Sequence, residues 1–160
     1  MAATKKVQAE SNVDGYFRAN VGAVVINDNK KVLALRRKNV PEAVWQMPQG
    51  GVGFNEVPVE AVWRELQEET GLTRYDVELL AAADDWIVYE LPKQFRSAKV
   101  GWGQAQRWFL FRARPGSTVK PDGKEFEAYD WFTVSELLDR VIAFRAPVYR
   151  RVFAEFADWV

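Results

Sequence analysis

The chain has 160 residues, 48% hydrophobic and 14% aromatic, which suits one domain with a sizeable core and excludes a disordered chain. It has no cysteine and no histidine, so disulfides, thiolate or zinc–histidine centres, Ser–His triads and histidine bases are excluded. With 22 basic and 22 acidic residues the formal net charge is zero, so total charge does not indicate a strongly basic nucleic-acid binder, although segregated signs leave room for a local basic patch.

Residues 1–14, MAATKKVQAESNVD, contain no hydrophobic segment of signal-peptide type and read as a short mobile polar tail. Residues 15–160 read as a single domain. No apolar run is long enough to cross a membrane, and the cytoplasm is the expected location. A β-branched run over 21–26, turn chemistry at Asn27-Asp28-Asn29-Lys30 and a resumed apolar run over 31–37 predict a hairpin. Residues 38–44, with Pro41, read as a loop, and 45–48 as extended, since Pro48 disfavours helix at its predecessor. The glycine-rich stretch 50–53 reads as a loop entering a helix over 57–70, with Pro58 suited to its first turn. Strands are predicted over 77–82 and 86–91, then a basic loop over 92–103 with Lys93, Arg96 and Lys99. Residues 104–114 form a strong strand pattern, with Trp108 and Leu110 on one face and Phe109 and Phe111 on the other. A loop over 115–124 precedes a strand over 126–132. Thr133 and Glu136 then form a capping box opening a helix to about 141. A last helix is predicted from Pro147 to about 158, with Val148, Val152 and Phe156 four apart. Most of the seven tryptophans are assigned to the core. Strands and helices alternate with hairpins mixed in, which predicts an α/β fold with a mixed sheet sandwiched between helices.

The helix over 57–70 carries the chemistry. Glu65, Glu68 and Glu69 lie at i, i+3 and i+4 and share one helical face. Val59, Val62 and Leu66 form a separate apolar stripe, and Ala61, small and on the acidic side, leaves room for something bulky. Arg64 can reach Glu68, and Gly71 follows the helix as its stop. Three crowded carboxylates repel one another unless a cation sits among them, and their hard oxygens suit Mg²⁺ or Mn²⁺. Such ions neutralise phosphate oxygens and acidify a bound water. An isolated run of this kind is ordinarily a solvated acidic face; the surrounding spacing argues otherwise. Gly50, Glu56, Arg64, Glu65, Leu66, Glu68, Glu69, Gly71 and Leu72 stand at the fixed points of a Nudix box, so the chain resembles a Nudix hydrolase.

Further stretches sharpen the resemblance: GYFRANVG from Gly15, WQMPQGG from Trp45, GQAQRWF from Gly103, EFEAYDW from Glu125 and FRAPVYRRVFAEF from Phe144. Together they look like the branch of RNA pyrophosphohydrolases and diadenosine tetraphosphate hydrolases, over nearly the whole chain. Departures are Ala19, where the branch usually has proline, and Ala146 and Pro147, where it has a more basic helix start. The loop before Trp45 also looks longer. The resemblance implies an α/β/α Nudix fold and makes Glu65, Glu68 and Glu69 metal ligands, joined by Glu125 from outside the helix. Glu65, Glu69 and Glu125 remain open as the general base. Arg64, grouped with the catalytic residues, holds loop and helix together with Glu56. Backbone carbonyls near Gln49 and Gly50 could complete a metal shell. Substrate contacts are expected from Arg36 and Arg37 at the end of the second strand, and from Arg18, Lys93 and Arg107 along the phosphate chain. Tyr89 and Phe144 are expected to stack on bases, with Arg145 beside Phe144 and Arg37 across the cleft. The implied reaction is Mg²⁺- or Mn²⁺-dependent hydrolysis of a phosphoanhydride leaving a 5′-monophosphate. The leading substrate is a 5′-triphosphate or diphosphate RNA end. The alternatives are a dinucleoside polyphosphate and, in a different class, a non-catalytic nucleotide-binding module. No membrane and no stable protein partner are expected.

Overall fold

Strand β7, Gly103–Ala113, is the longest in the chain and the one on which the sheet is built. Its alternating large side chains can be buried on both faces, and it pairs on both edges. On one edge β1, Phe17–Ile26, runs parallel to it from Phe17↔Gly103 to Ile26↔Arg112. On the other, β5, Val77–Ala82, and β6, Ile87–Glu90, run antiparallel. This computed structural model describes residues 15–160; the tail expected over residues 1–14 lies outside the described residues.

The hairpin forms, but only at its turn. Asn27 Oδ1 accepts from the backbone N–H groups of Asn29 and Lys31, and β2, Val32–Arg37, pairs with β1 at Ile26↔Val32 alone. Beyond that point the two strands diverge. The segment expected as a glycine loop supplies a strand instead: β4, Gln49–Gly51, pairs with Asn20, Val21 and Gly22 of β1. Strand β2 becomes the centre of its own group, between β3, Trp45–Gln46, and β8, Phe126–Phe132. The result is an eight-stranded mixed sheet.

Helices cover both faces, as the α/β expectation required. Helix α1, Pro58–Thr70, lays Val62 and Leu66 onto Val21, Ala23, Phe109 and Phe111. Each such buried aliphatic side chain contributes about 1.5–3 kcal/mol. The opposite face of the same strands presents Val24, Trp108 and Leu110 to Leu137 of α2, Val134–Leu138, and to Val148, Tyr149 and Val152 of α3, Ala146–Glu155. The capping box at Thr133 and Glu136 is present. Helix α2 stops three residues short of its expected end, where Arg140 turns back and donates from Nη1 to the Glu136 carbonyl at 2.7 Å. Helix α3 ends at Glu155, and turns carry the chain on through Trp159. No helix among the described residues is long and apolar enough to cross a membrane.

Candidate active site: a carboxylate helix beside a cleft

Gly71 ends α1 in the left-handed region (φ 72°), its N–H donating to the Gln67 carbonyl. The apolar stripe fixes the helix roll, so Glu65, Glu68 and Glu69 come to one side. Ala61 does not leave room there: it is fully buried in the core beneath the helix. Two glycines of β4 permit the close approach on which the site depends. A side chain at Gly50 would collide with the Glu65 carboxylate, and one at Gly51 with the Arg18 guanidinium. Because successive residues of a strand face opposite sides, these two contacts lie on opposite faces of the sheet.

Arg64 binds the loop to the helix. Its Nε and Nη2 donate to the two oxygens of Glu56, each at 2.9 Å, in a bidentate pair. Nη2 also reaches the Gly51 carbonyl at 2.8 Å, and Nη1 reaches Glu65 Oε1 at 2.7 Å and Glu68 Oε2 at 3.3 Å. Glu56 further accepts from the Gly53 N–H at 2.8 Å. Arg64 and that N–H together hold the Glu56 carboxyl down to about 2.

Glu69 is in the opposite condition. It is buried (6% exposed), and it accepts only from the Gln49 N–H, at 3.1 Å. Among the described residues no cation pairs with it. Burial pushes its carboxyl well above the usual range, and the charges of Glu65 and Glu125 push the same way. Burial also raises Glu65, against the pull of Arg64. Glu125, outside the box, adds its charge to the field at Glu65 and Glu69, and its one ion pair among the described residues is with Arg37. Asp122, which sequence reasoning passed over, builds the turn that carries Glu125: its Oδ1 accepts from the N–H groups of Lys124, Glu125 and Phe126 at 2.9–3.0 Å. The Asp122-Gly123 pair was the available signal.

The donor set is all oxygen and suits a hard divalent cation. Gln49, whose N–H meets Glu69, has its own buried Oε1 without a hydrogen-bond partner. Glu65 and Glu68 are meanwhile turned to Arg64. Among the described residues no three carboxylates stand close enough to hold one ion as they are.

Past Glu125 the surface opens into a cleft of about 550 Å³, lined by Arg37, Leu91, Phe95, Gln104, Phe144 and Arg145 among others. Arg37 Nη1 stands 3.8 Å from Glu125 Oε2, so Glu125 adjoins the cleft. Phe144 packs on Tyr89 (centroids 6.4 Å, planes 30° apart) and on Phe95 (5.5 Å), with the Arg145 guanidinium 5.3 Å above its ring. Tyr89 turns inward: its hydroxyl donates to Gln104 Oε1 at 2.6 Å. Gln106 Nε2 donates to Gln104 Oε1 and to Asn20 Oδ1, extending the chain of amides under the cleft floor.

The expected substrate residues therefore divide. Arg37, Phe144 and Arg145 line one cleft, and Tyr89 supports its wall. Arg18 lies against Gly51. Arg36, next along β2, points away and pairs with Glu127 at 3.4 Å. Lys93 is exposed on a single 3-10 turn, outside the cleft lining. Arg107 shares the α1-facing side of β7 with Phe109 and Phe111, also outside that lining, and its buried Nε lacks a partner.

The NUDIX domain family model matches residues 16–152 of the chain. An RNA pyrophosphohydrolase of Pseudomonas syringae pv. tomato is 40% identical over 151 residues, covering 88% of this chain and 92% of that protein. Nudix hydrolase 26, chloroplastic, of Arabidopsis thaliana is 39% identical over 164 residues, covering 93% of this chain and 73% of its own. A solved C. elegans Ap4A hydrolase in a binary complex superposes with a TM-score of 0.68 at 18% identity, over 88% of this chain and 98% of that one, a likeness of fold. With an intact box on a helix of this geometry, the chain belongs to the Nudix family, hydrolases that act on pyrophosphate bonds.

Proposed function

We propose that the chain removes pyrophosphate from 5′-triphosphate RNA ends, or phosphate from 5′-diphosphate ends, leaving a 5′-monophosphate. The observation that carries this reading is the Glu125–Arg37 contact, which sets one proposed metal ligand beside a residue lining a cleft with room for nucleotides. A polyphosphate at the carboxylates would hold its first nucleotides at the cleft, against Arg37, Phe144 and Arg145. The similarity to bacterial RNA pyrophosphohydrolases supports the same substrate.

Nudix hydrolases generally use divalent metal ions. Here Glu69, with Glu65 and Glu68 turned from Arg64 and with Glu125, would hold Mg²⁺ or Mn²⁺. When bound, such an ion neutralises phosphate oxygens and lowers the pKa of water. The chain's own part is to orient and to accept a proton. One of Glu65, Glu69 and Glu125 takes a proton from the attacking water, whose oxygen bonds to phosphorus as the phosphoanhydride breaks. Arg64 sets the position of Glu65. Arg18, against Gly51 on the sheet face opposite Glu65 and in register with Gln104 of the cleft lining, is assigned to the phosphate chain from that side. Residues 15–160 act as one domain, and the expected compartment is the cytoplasm.

Hydrolysis of diadenosine tetraphosphate is the second reading. The zero net charge favours it, because RNA binding draws on neutralisation of phosphates along a strand. Side-by-side kinetics on triphosphorylated RNA oligomers and diadenosine tetraphosphate, in Mg²⁺, separate the two. The RNA reading expects the higher kcat/KM on RNA; a reversed ratio gives the site to the dinucleotide.

A further inference from the structure

Gln46 lies in β3, only 2% exposed, and is not among the residues that line the cleft. Its Oε1 accepts from Arg145 Nη1 at 2.7 Å and from Arg37 Nη1 at 3.4 Å. The two arginines come from distant parts of the chain, and both line the cleft. A guanidinium has donors and no acceptor, so the amide must turn its oxygen, not its nitrogen, toward both. Arg37 and Arg145 also lie over the rings of Phe126 and Phe144, at 5.9 and 5.3 Å, and Arg145 is beside the Tyr89 hydroxyl, but Gln46 is the one acceptor they share. Arg37 meets Glu125 at a long 3.8 Å with both groups solvated, and Arg145 leaves its buried Nε without a partner.

We propose that Gln46 is a positioning residue for substrate: one buried, neutral carbonyl holds Arg37 and Arg145 at a fixed separation across the cleft. Neutrality matters. A carboxylate there would also hold two guanidiniums but would cancel one of their charges, while an amide orients both and leaves both available to a phosphate or a base. The proposal rests on the reading that these arginines face substrate. Gln46 acts only through them.

The test is steady-state kinetics of the full chain on triphosphorylated RNA and on diadenosine tetraphosphate. Gln46→Leu removes the shared acceptor. It should raise KM roughly tenfold with kcat within about threefold, the pattern of lost ground-state binding. Gln46→Glu keeps an acceptor in place and should hold the melting temperature. It should still raise KM, and make KM less sensitive to salt, because one positive charge is cancelled. In an Arg37→Ala/Arg145→Ala background, Gln46→Leu should add no further loss, since its partners are gone. The proposal is overturned if Gln46→Leu leaves KM unchanged, or if its full effect persists in the arginine-free background. Should Gln46→Leu fail to fold, Gln46→Glu decides through KM and its salt dependence: unchanged values overturn the proposal. Wild-type turnover of the dinucleotide but not of RNA would defeat the RNA reading alone, and the Gln46 comparison would then be made on the dinucleotide.

Discussion

The carboxylates of α1 come from five consecutive positions, whereas the cleft draws Arg37, Gln46, Gln104 and Phe144 from four separate segments of the chain. The two regions also differ in how they are satisfied. At the cleft, Arg145 finds Gln46, Tyr89 finds Gln104, and Phe144 finds two aromatic neighbours. On the helix, Glu69 is buried against like charges with a single N–H to accept from. A region left electrostatically unfavourable by its own protein is poised for a cation and for chemistry. A region whose groups mostly have partners, the buried Arg145 Nε excepted, is suited to shape and select. On the proposed assignment, reaction and recognition are separable by mutation.

Metal removal tests the first half most severely. Excess chelator is expected to abolish turnover, Mg²⁺ or Mn²⁺ to restore it, and zinc not to be required, because the donor set is all oxygen in a chain without His or Cys. Full activity in chelator, read by phosphate release, would break the comparison outright. Next in size is Glu69→Gln, expected to cost about a thousandfold in rate, roughly 4 kcal/mol of barrier. Its melting temperature should not fall, since the change relieves a buried charge among like charges. An active variant, or a destabilised one, contradicts that account. Glu125→Gln should follow in rate; a near-native value removes Glu125 from the site.

On the recognition side, Phe144→Ala should lower kcat/KM for RNA by about ten- to a hundredfold, the range of one base–aromatic stack. Hydrolysis of a plain nucleoside triphosphate, which has no second base, should change far less. Equal losses on both, with a lower melting temperature, would return Phe144 to packing against Tyr89 and Phe95. The smallest effect belongs to the loop anchor. Glu56→Gln should cost about 1 kcal/mol at pH 7, modest because Arg64 is partly solvated. The wild-type carboxyl is lowered on folding, so this advantage is fully present above about pH 4.5 and is lost as the pH falls to about 2. Urea titrations across that window should converge at the acid end.

The same division explains what the sequence made legible. The box could be read because its residues are neighbours on one helix, where spacing alone sets the face. The two faces of β7, the cap at Gly71 and the box at Thr133 are likewise local. The strand at Gln49–Gly51 was not legible, because two glycines carry no side-chain pattern and the strand exists only through its pairing with β1. Ala61 was misplaced because helical spacing does not tell a void from a core contact. Gln46 and Asp122 were passed over since each works through a partner that only the fold brings near. Arg36 and Arg37 differ by one residue, and strand alternation sends only one of them to the cleft.

The parallel pairing of β1 with β7 also sets a timetable. Asn20 and Gln106, joined by a buried hydrogen bond, are 86 residues apart in the chain. At about 5–20 residues per second, a ribosome needs roughly 4–17 s to deliver the second partner after the first. Through that interval β1 presents an unpaired apolar edge, and in its later part the acidic helix also exists without the strand that unites them. Non-local parallel pairing is slow to form in any case. The vulnerable species in synthesis is thus a nascent chain that already carries the glutamates of α1 but neither Glu125 nor the strand that closes its sheet.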